Sequence, residues 1–234
     1  MRTKMKALTI VLCAVLLVVS TVFVTMAFLT STDSVKNTFT FGQVTITLDE
    51  ADVDEDGVVE NGGDRTSTTG RLKENKYHLI PGHTYVKDPT VHVDATSEKC
   101  WLFVKLNNGL KEIIAGQTTY SESDAENTFY TIEAQMLKNG WTCIDSTNNV
   151  WVYKEIVSAS ANVNVFDNFI LADDADVSKY GTAVGTDADG KSIGGKTIDV
   201  TAYAVQADGF DDDEKSAKEN AVAAWTASFG ASAN

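Results

Sequence analysis

Positive charge is the first shortage in this chain. It has 19 Lys+Arg against 33 Asp+Glu, and Arg2, Lys4 and Lys6 precede the first apolar run. From residue 28 onward, 16 basic side chains face 33 acidic ones, a formal net charge of −17. Polyanions repel such a chain, which argues against nucleic acid or an anionic membrane surface as partner.

Histidine is also scarce. His78, His83 and His92 are the only three, and none lies in an HExxH motif, so zinc proteolysis would need a different ligand set. His83, His92 and Asp88 would share a metal only if adjacent strands brought them together, and a solvated strand histidine is the plainer reading. There is no G-x-S-x-G and no local Cys–His pair. The glycine-rich stretch 181–195 lacks both G-x-G-x-x-G and a P-loop lysine. No catalytic residues are expected.

Of three cysteines, Cys13 falls in the apolar leader, leaving Cys100 and Cys143. In an oxidising compartment the pair either forms a disulfide, worth about 3–4 kcal/mol on the chain-entropy argument, or remains as two buried thiols. Spacing alone leaves both open, because a bridge depends on geometry. With no CxxC context, a metal or redox role is not expected.

The leader itself lacks charge. No charged residue occurs over positions 7–32, and the apolar run from Leu8 to Val19 follows a basic start. That pattern is an export signal or a membrane anchor. Thr25-Met26-Ala27 puts small side chains at −3 and −1 of a cleavage before Phe28, which favours a signal peptide over residues 1–27 and one secreted domain over 28–234. The C-terminal residues 228–234 carry neither an apolar tail nor a basic stop, so sortase anchoring is not expected.

Along the remaining 207 residues, short apolar alternations are separated by polar turns. Residues 37–50 read as a strand with a parity change near Gly42-Gln43, where a bulge is expected. Asp52, Asp54 and Asp56, then Gly57 and Glu60, resemble the start of an EF-hand calcium loop, but Gly63 stands where the bidentate Glu should be. Calcium binding by those four acids and a solvated acidic turn are both open. Pro81-Gly82 predicts a type II turn, and Pro89 marks a strand start with Val91 and Val93 facing inward. Residues 100–106 are apolar on both parities, as in a central strand covered on both faces. A helix is predicted over 126–138, a hairpin over 141–156, further strand around Val163 to Leu171, a clear strand over 196–207, and a second helix opened by the acids 211–214.

The run Thr25 to Asp33 with Asn37-Thr38-Phe39-Thr40-Phe41-Gly42, the Pro81-Gly82 turn before Thr84 to Asp88, and the strand and Ala/Trp helix after Thr201 together resemble the TasA/camelysin (CalY) family. The resemblance implies a protein exported by a Gram-positive bacterium, cut by a SipW-type signal peptidase after Ala27, with Thr25 at −3 and Phe28 as the new N-terminus, and assembling as fibres in the biofilm matrix or at the cell surface.

The expectation is therefore a mainly β protein, an antiparallel jelly-roll-like sandwich with two peripheral helices behind an N-terminal hydrophobic signal helix. Its function is structural and non-enzymatic. Its partners are further copies of itself and the SipW-type peptidase, with membrane contact only through the uncleaved signal and no cofactor beyond calcium in the acidic loop. Phe39, Phe41, Val44 and Ile46 are the expected donor surface for β-strand addition. The alternative is a monomeric secreted or membrane-tethered binding module that uses the acidic loop for calcium.

Overall fold

The structure is a computed structural model that describes residues 5–6, 12–17, 43–179, 185–186, 192–193 and 196–230. The chain divides into two units, residues 1–41 and 42–234. In the first, residues 5–6 and 12–17 are helical. Among the described residues, no helix is long and apolar enough to cross a membrane.

The second unit is mainly β, with antiparallel sheets and a few helices. Its strands are β1 (Ile46–Val53), β2 (Val59–Asn61), β3 (Arg71–Leu72), β4 (Thr84–Val86), β5 (Thr90–Val93), β6 (Cys100–Asn108), β7 (Ile114–Ala115), β8 (Trp141–Asp145), β9 (Val150–Tyr153), β10 (Asn162–Asn164), β11 (Asn168–Leu171), β12 (Gly185–Thr186), β13 (Ser192–Ile193) and β14 (Ile198–Gln206). The helices are α1 (Ile132–Lys138) and α2 (Ala217–Phe229). One sheet runs β10-β5-β1-β2, with β3 also on β1. A second runs β14-β6-β9-β8, a third β4-β11-β7, and β12 pairs with β13.

β6 is where the sequence pattern dictates the architecture most directly. Its even-numbered residues Leu102, Val104 and Leu106 enter the main core, while Trp101 and Phe103 enter a second cluster under α2. Being apolar on both parities, the strand is covered on both faces, and each fully buried large side chain contributes about 1.5–3 kcal/mol. It pairs with β14 through nine consecutive residues, from Ile198↔Asn108 to Gln206↔Cys100.

The main core also takes Val91 and Val93 from β5, Phe169 and Leu171 from β11, Trp151 from β9, and Ile132 and Met136 from α1. Gln135 of α1 fixes that helix to β11. Its side chain donates to the Asn168 carbonyl at 2.9 Å and accepts from the Asp167 N–H at 2.9 Å.

The turn at Pro81-Gly82 forms as expected, with Gly82 at φ 72° and the His83 N–H donating to the Ile80 carbonyl at 3.2 Å. Helix α1 is shorter than predicted. Phe129 lies outside it, 60% exposed, and Thr131 is its N-cap. The acids at 211–214 precede α2 instead of opening it. Ser216 caps the helix through a reciprocal box with Glu219, and Lys215 pairs with Asp212 outside the helix.

Candidate functional site

Strand β1 carries charge on both faces. On one, Asp49 joins a buried ionic cluster with Arg71 of β3, Asp88 before β5, and Thr90 and His92 of β5. The Arg71 guanidinium is sealed from solvent. Its Nε lies 2.5 Å from Asp49 Oδ1, its Nη1 lies 3.2 Å from Asp88 Oδ2, and Nη1 also donates to the Gly62 carbonyl at 2.6 Å. Asp88 accepts in addition from the Ala51 N–H at 2.7 Å and from Arg65 at 3.0 Å, while His92 Nε2 lies 2.8 Å from Asp49 Oδ1. Burial alone would lower the Arg71 pKa, but hydrogen bonds and charge from Asp49 and Asp88 together raise it. With its acceptors engaged, this cluster is a scaffold that pins the loop 62–70 onto β1 and β5.

On the other face, the alternation Val44, Ile46, Leu48 continues to Glu50, which is 4% exposed. Glu50 Oε2 accepts from Lys87 Nζ at 2.6 Å, and its Oε1 accepts from Asn75 Nδ2 at 3.0 Å. Asn75 is held at both ends, because Nδ2 also donates to the Ala51 carbonyl at 2.8 Å and Oδ1 accepts from the Val53 N–H at 3.2 Å. The Tyr77 ring lies 5.8 Å from Lys87 Nζ, and burial, reinforced by the charges of Glu50 and Asp88, pushes its phenol pKa strongly upward.

Glu50, Asn75, Tyr77 and Lys87 line a groove of about 1210 Å³. One wall is residues 48–50 of β1 with the segment 73–79, and the other is residues 198–202 of β14, with Leu110, Phe169 and Val177 also lining it. β14 ends its sheet, so among the described residues no strand pairs with its outer edge. Opposite, the Leu48 carbonyl accepts from a side chain, Lys73 Nζ at 2.9 Å. Leu48, Ile198, Val200 and Ala202 are only partly buried, whereas the same core is closed around β6. The core is unfinished along this seam. An extended chain fits there chemically, with backbone groups to meet on an edge and apolar side chains to cover.

The acidic loop is a hairpin turn between β1 and β2. Asp54 Oδ1 accepts from the N–H groups of Asp56 and Val58, at 3.1 and 2.8 Å, and Asp52 accepts from Asn61 at 3.3 Å. Gly57 is required for packing. At φ +77°, a Cβ there would lie 2.8 Å from the Tyr85 Cα. Glu60 is exposed on β2. Among the described residues, no group of three or more His, Cys, Asp or Glu is placed to hold a metal ion. His83 stands apart from His92 and Asp88, its Nε2 lying 2.8 Å from the Asp56 carbonyl.

The disulfide alternative is corrected. Cys100 and Cys143 are free thiols, on β6 and β8 with β9 between them. Two strand spacings amount to about 9–10 Å, beyond the reach of a bridge. Burial pushes the Cys100 thiol up to about 11 and also raises Cys143.

The expected donor surface is corrected in part. Ile46 pairs with Val93, Val44 and Ile46 pack on the chain's own core, and the Gln43 carbonyl accepts from the Glu98 N–H at 3.1 Å. Those two side chains belong to the chain's own fold. Phe39 and Phe41 lie outside the described residues, as do Thr25, Ala27, Phe28 and the Gly42 half of the expected bulge.

Sequence reasoning missed the ionic cluster and the Glu50 group because the carboxylates stand 17 to 43 residues from the basic side chains and the amide that they hold. One signal was present: a glutamate at the inward parity of an otherwise apolar alternation. The chain matches no family model, no curated protein and no solved structure.

Proposed function

We propose that this is an exported, non-enzymatic fibre subunit of the TasA type, secreted to the biofilm matrix or cell surface, which assembles by β-strand addition. On this reading the four- and five-stranded sheets form a jelly-roll-like sandwich whose open seam is the acceptor. The observation that carries it is the groove between the unpaired β14 edge and residues 48–50, floored by half-buried apolar side chains.

The occupant is the segment 28–41 of a second copy. Extended, its 14 residues span about 46 Å, ample for a groove of this size. It carries one acid, Asp33, and one base, Lys36, so it approaches a strongly acidic subunit without charge opposition. Phe39 and Phe41 alternate correctly to fill pockets while the main chain pairs with β14. Cleavage after Ala27 by a SipW-type peptidase frees that segment, and head-to-tail repetition of a contact that does not close builds a filament.

Deleting residues 28–41 should leave a folded monomer that forms no fibres by electron microscopy. Val200→Asp, which places a charge in the groove, should do the same in the full-length secreted protein. Undiminished fibres from either variant would defeat the proposal. A wild-type protein that stays monomeric with the segment protected from protease would mean the groove is filled within one chain.

A further inference from the structure

We propose that Lys87 and Asn75 form an intramolecular isopeptide bond with Glu50 as the catalytic acid–base. This goes beyond the assembly reading and does not rest on it. One carboxylate holds the amine and the carboxamide together, with Lys87 Nζ 2.6 Å from Oε2 and Asn75 Nδ2 3.0 Å from Oε1. The Lys87 and Glu50 side chains are 11% and 6% exposed, so the pair is largely removed from water. An isolated buried ion pair gains little from its charges, and passing the proton from ammonium to carboxylate removes both at once. The resulting free amine is the nucleophile and the resulting acid is the proton donor.

The carboxamide is held at both ends by hydrogen bonds. The Val53 N–H on Oδ1, at 3.2 Å, polarises the carbonyl and stands where negative charge develops when the amine adds to Cγ. The leaving nitrogen Nδ2 faces Oε1 of the same carboxyl, which takes a proton from Nζ on its Oε2 side and returns one to Nδ2 as the C–N bond breaks. The Lys87 chain turns from Oε2 toward Cγ, both groups being already gathered at one carboxylate. The Nζ–Cγ bond forms, the Cγ–Nδ2 bond breaks, and Glu50 relays protons from Nζ to Nδ2. Overall, an ammonium and a primary carboxamide become one secondary amide and an ammonium ion. No oxidant, reductant or cofactor takes part.

The bond would tie the groove wall at 73–79 to the corner between β4 and β5. Mass spectrometry of the folded, secreted protein tests it. The expected result is a deficit of about 17 Da, the mass of one ammonia. A tryptic digest should then yield a branched species in which residues 74–76 are attached through Asn75 to the peptide 77–99, uncut at Lys87. Lys87→Arg and Asn75→Ala should restore the full mass. Glu50→Gln should do so with both reacting residues still present, its fold checked by circular dichroism. The wild-type digest decides even if that variant fails to fold. Separate, unbranched peptides from the folded wild type would overturn the proposal. So would a deficit mapped to another residue, or a link from Lys87 to Glu50 with loss of about 18 Da of water.

Discussion

Arg71 is the residue on which the polar half of the fold turns. Its side chain is fully buried between Asp49 and Asp88, which in turn hold His92, Arg65 and the Ala51 N–H. Removing the cation leaves two carboxylates facing each other out of water, so the penalty is the unpaired charge rather than the lost contact. Arg71→Ala should cost about 3–5 kcal/mol, read as a lower urea midpoint at an unchanged slope. The exposed pair Lys154–Glu155, at 3.8 Å, offers a contrast, since such contacts contribute little. Cys100 marks the opposite case at this scale. Burial raises its thiol pKa by suppressing the charged form, which leaves a quiet apolar side chain in a position read from sequence as a candidate bridge.

Among the elements, what could be read from the sequence was what depends on near neighbours. β6 announced itself by apolar residues on both parities, β14 by clean alternation, and the reversal at Pro81-Gly82 by its backbone requirements. The start of α2 was misplaced because the acids at 211–214 drew the helix boundary toward themselves, while the true boundary is Ser216, three residues before Glu219. That box is testable. Ser216→Ala removes an acceptor for the Glu219 N–H and should destabilise α2 by about 1 kcal/mol, seen as faster amide exchange in its first turn. Trp225 packs 5.1 Å from Phe103, so the helix body should stay docked. The hairpin at 52–60 shows the opposite limit. Its acids look like ligands in one dimension, yet Asp54 is engaged by the backbone of its own turn. The ionic cluster and the Glu50 group were not legible, because each assembles from strands and loops whose adjacency only the finished fold creates.

For the whole molecule, a net charge of −17 on residues 28–234 means that neighbouring copies repel, and repulsion between exposed charges is screened within about 8–10 Å at physiological salt. Fibre formation, on the proposed mechanism, should therefore accelerate between low salt and about 0.15 M, measured by light scattering. A rate independent of salt would mean that like-charged surfaces do not approach during assembly. The alternating strands foretold a mainly β fold, and the structure adds an open seam that no local pattern encodes.

The pairing of β6 with β14 carries a temporal consequence. Residues 100–108 wait for residues 198–206, synthesised 90 to 106 positions later. Until then a strand buried on both faces lacks one of its two flanks, and contacts that span such separations form slowly. A growing polypeptide of this design therefore keeps one side of its central sheet open until both distant strands are in hand, and the core closes late.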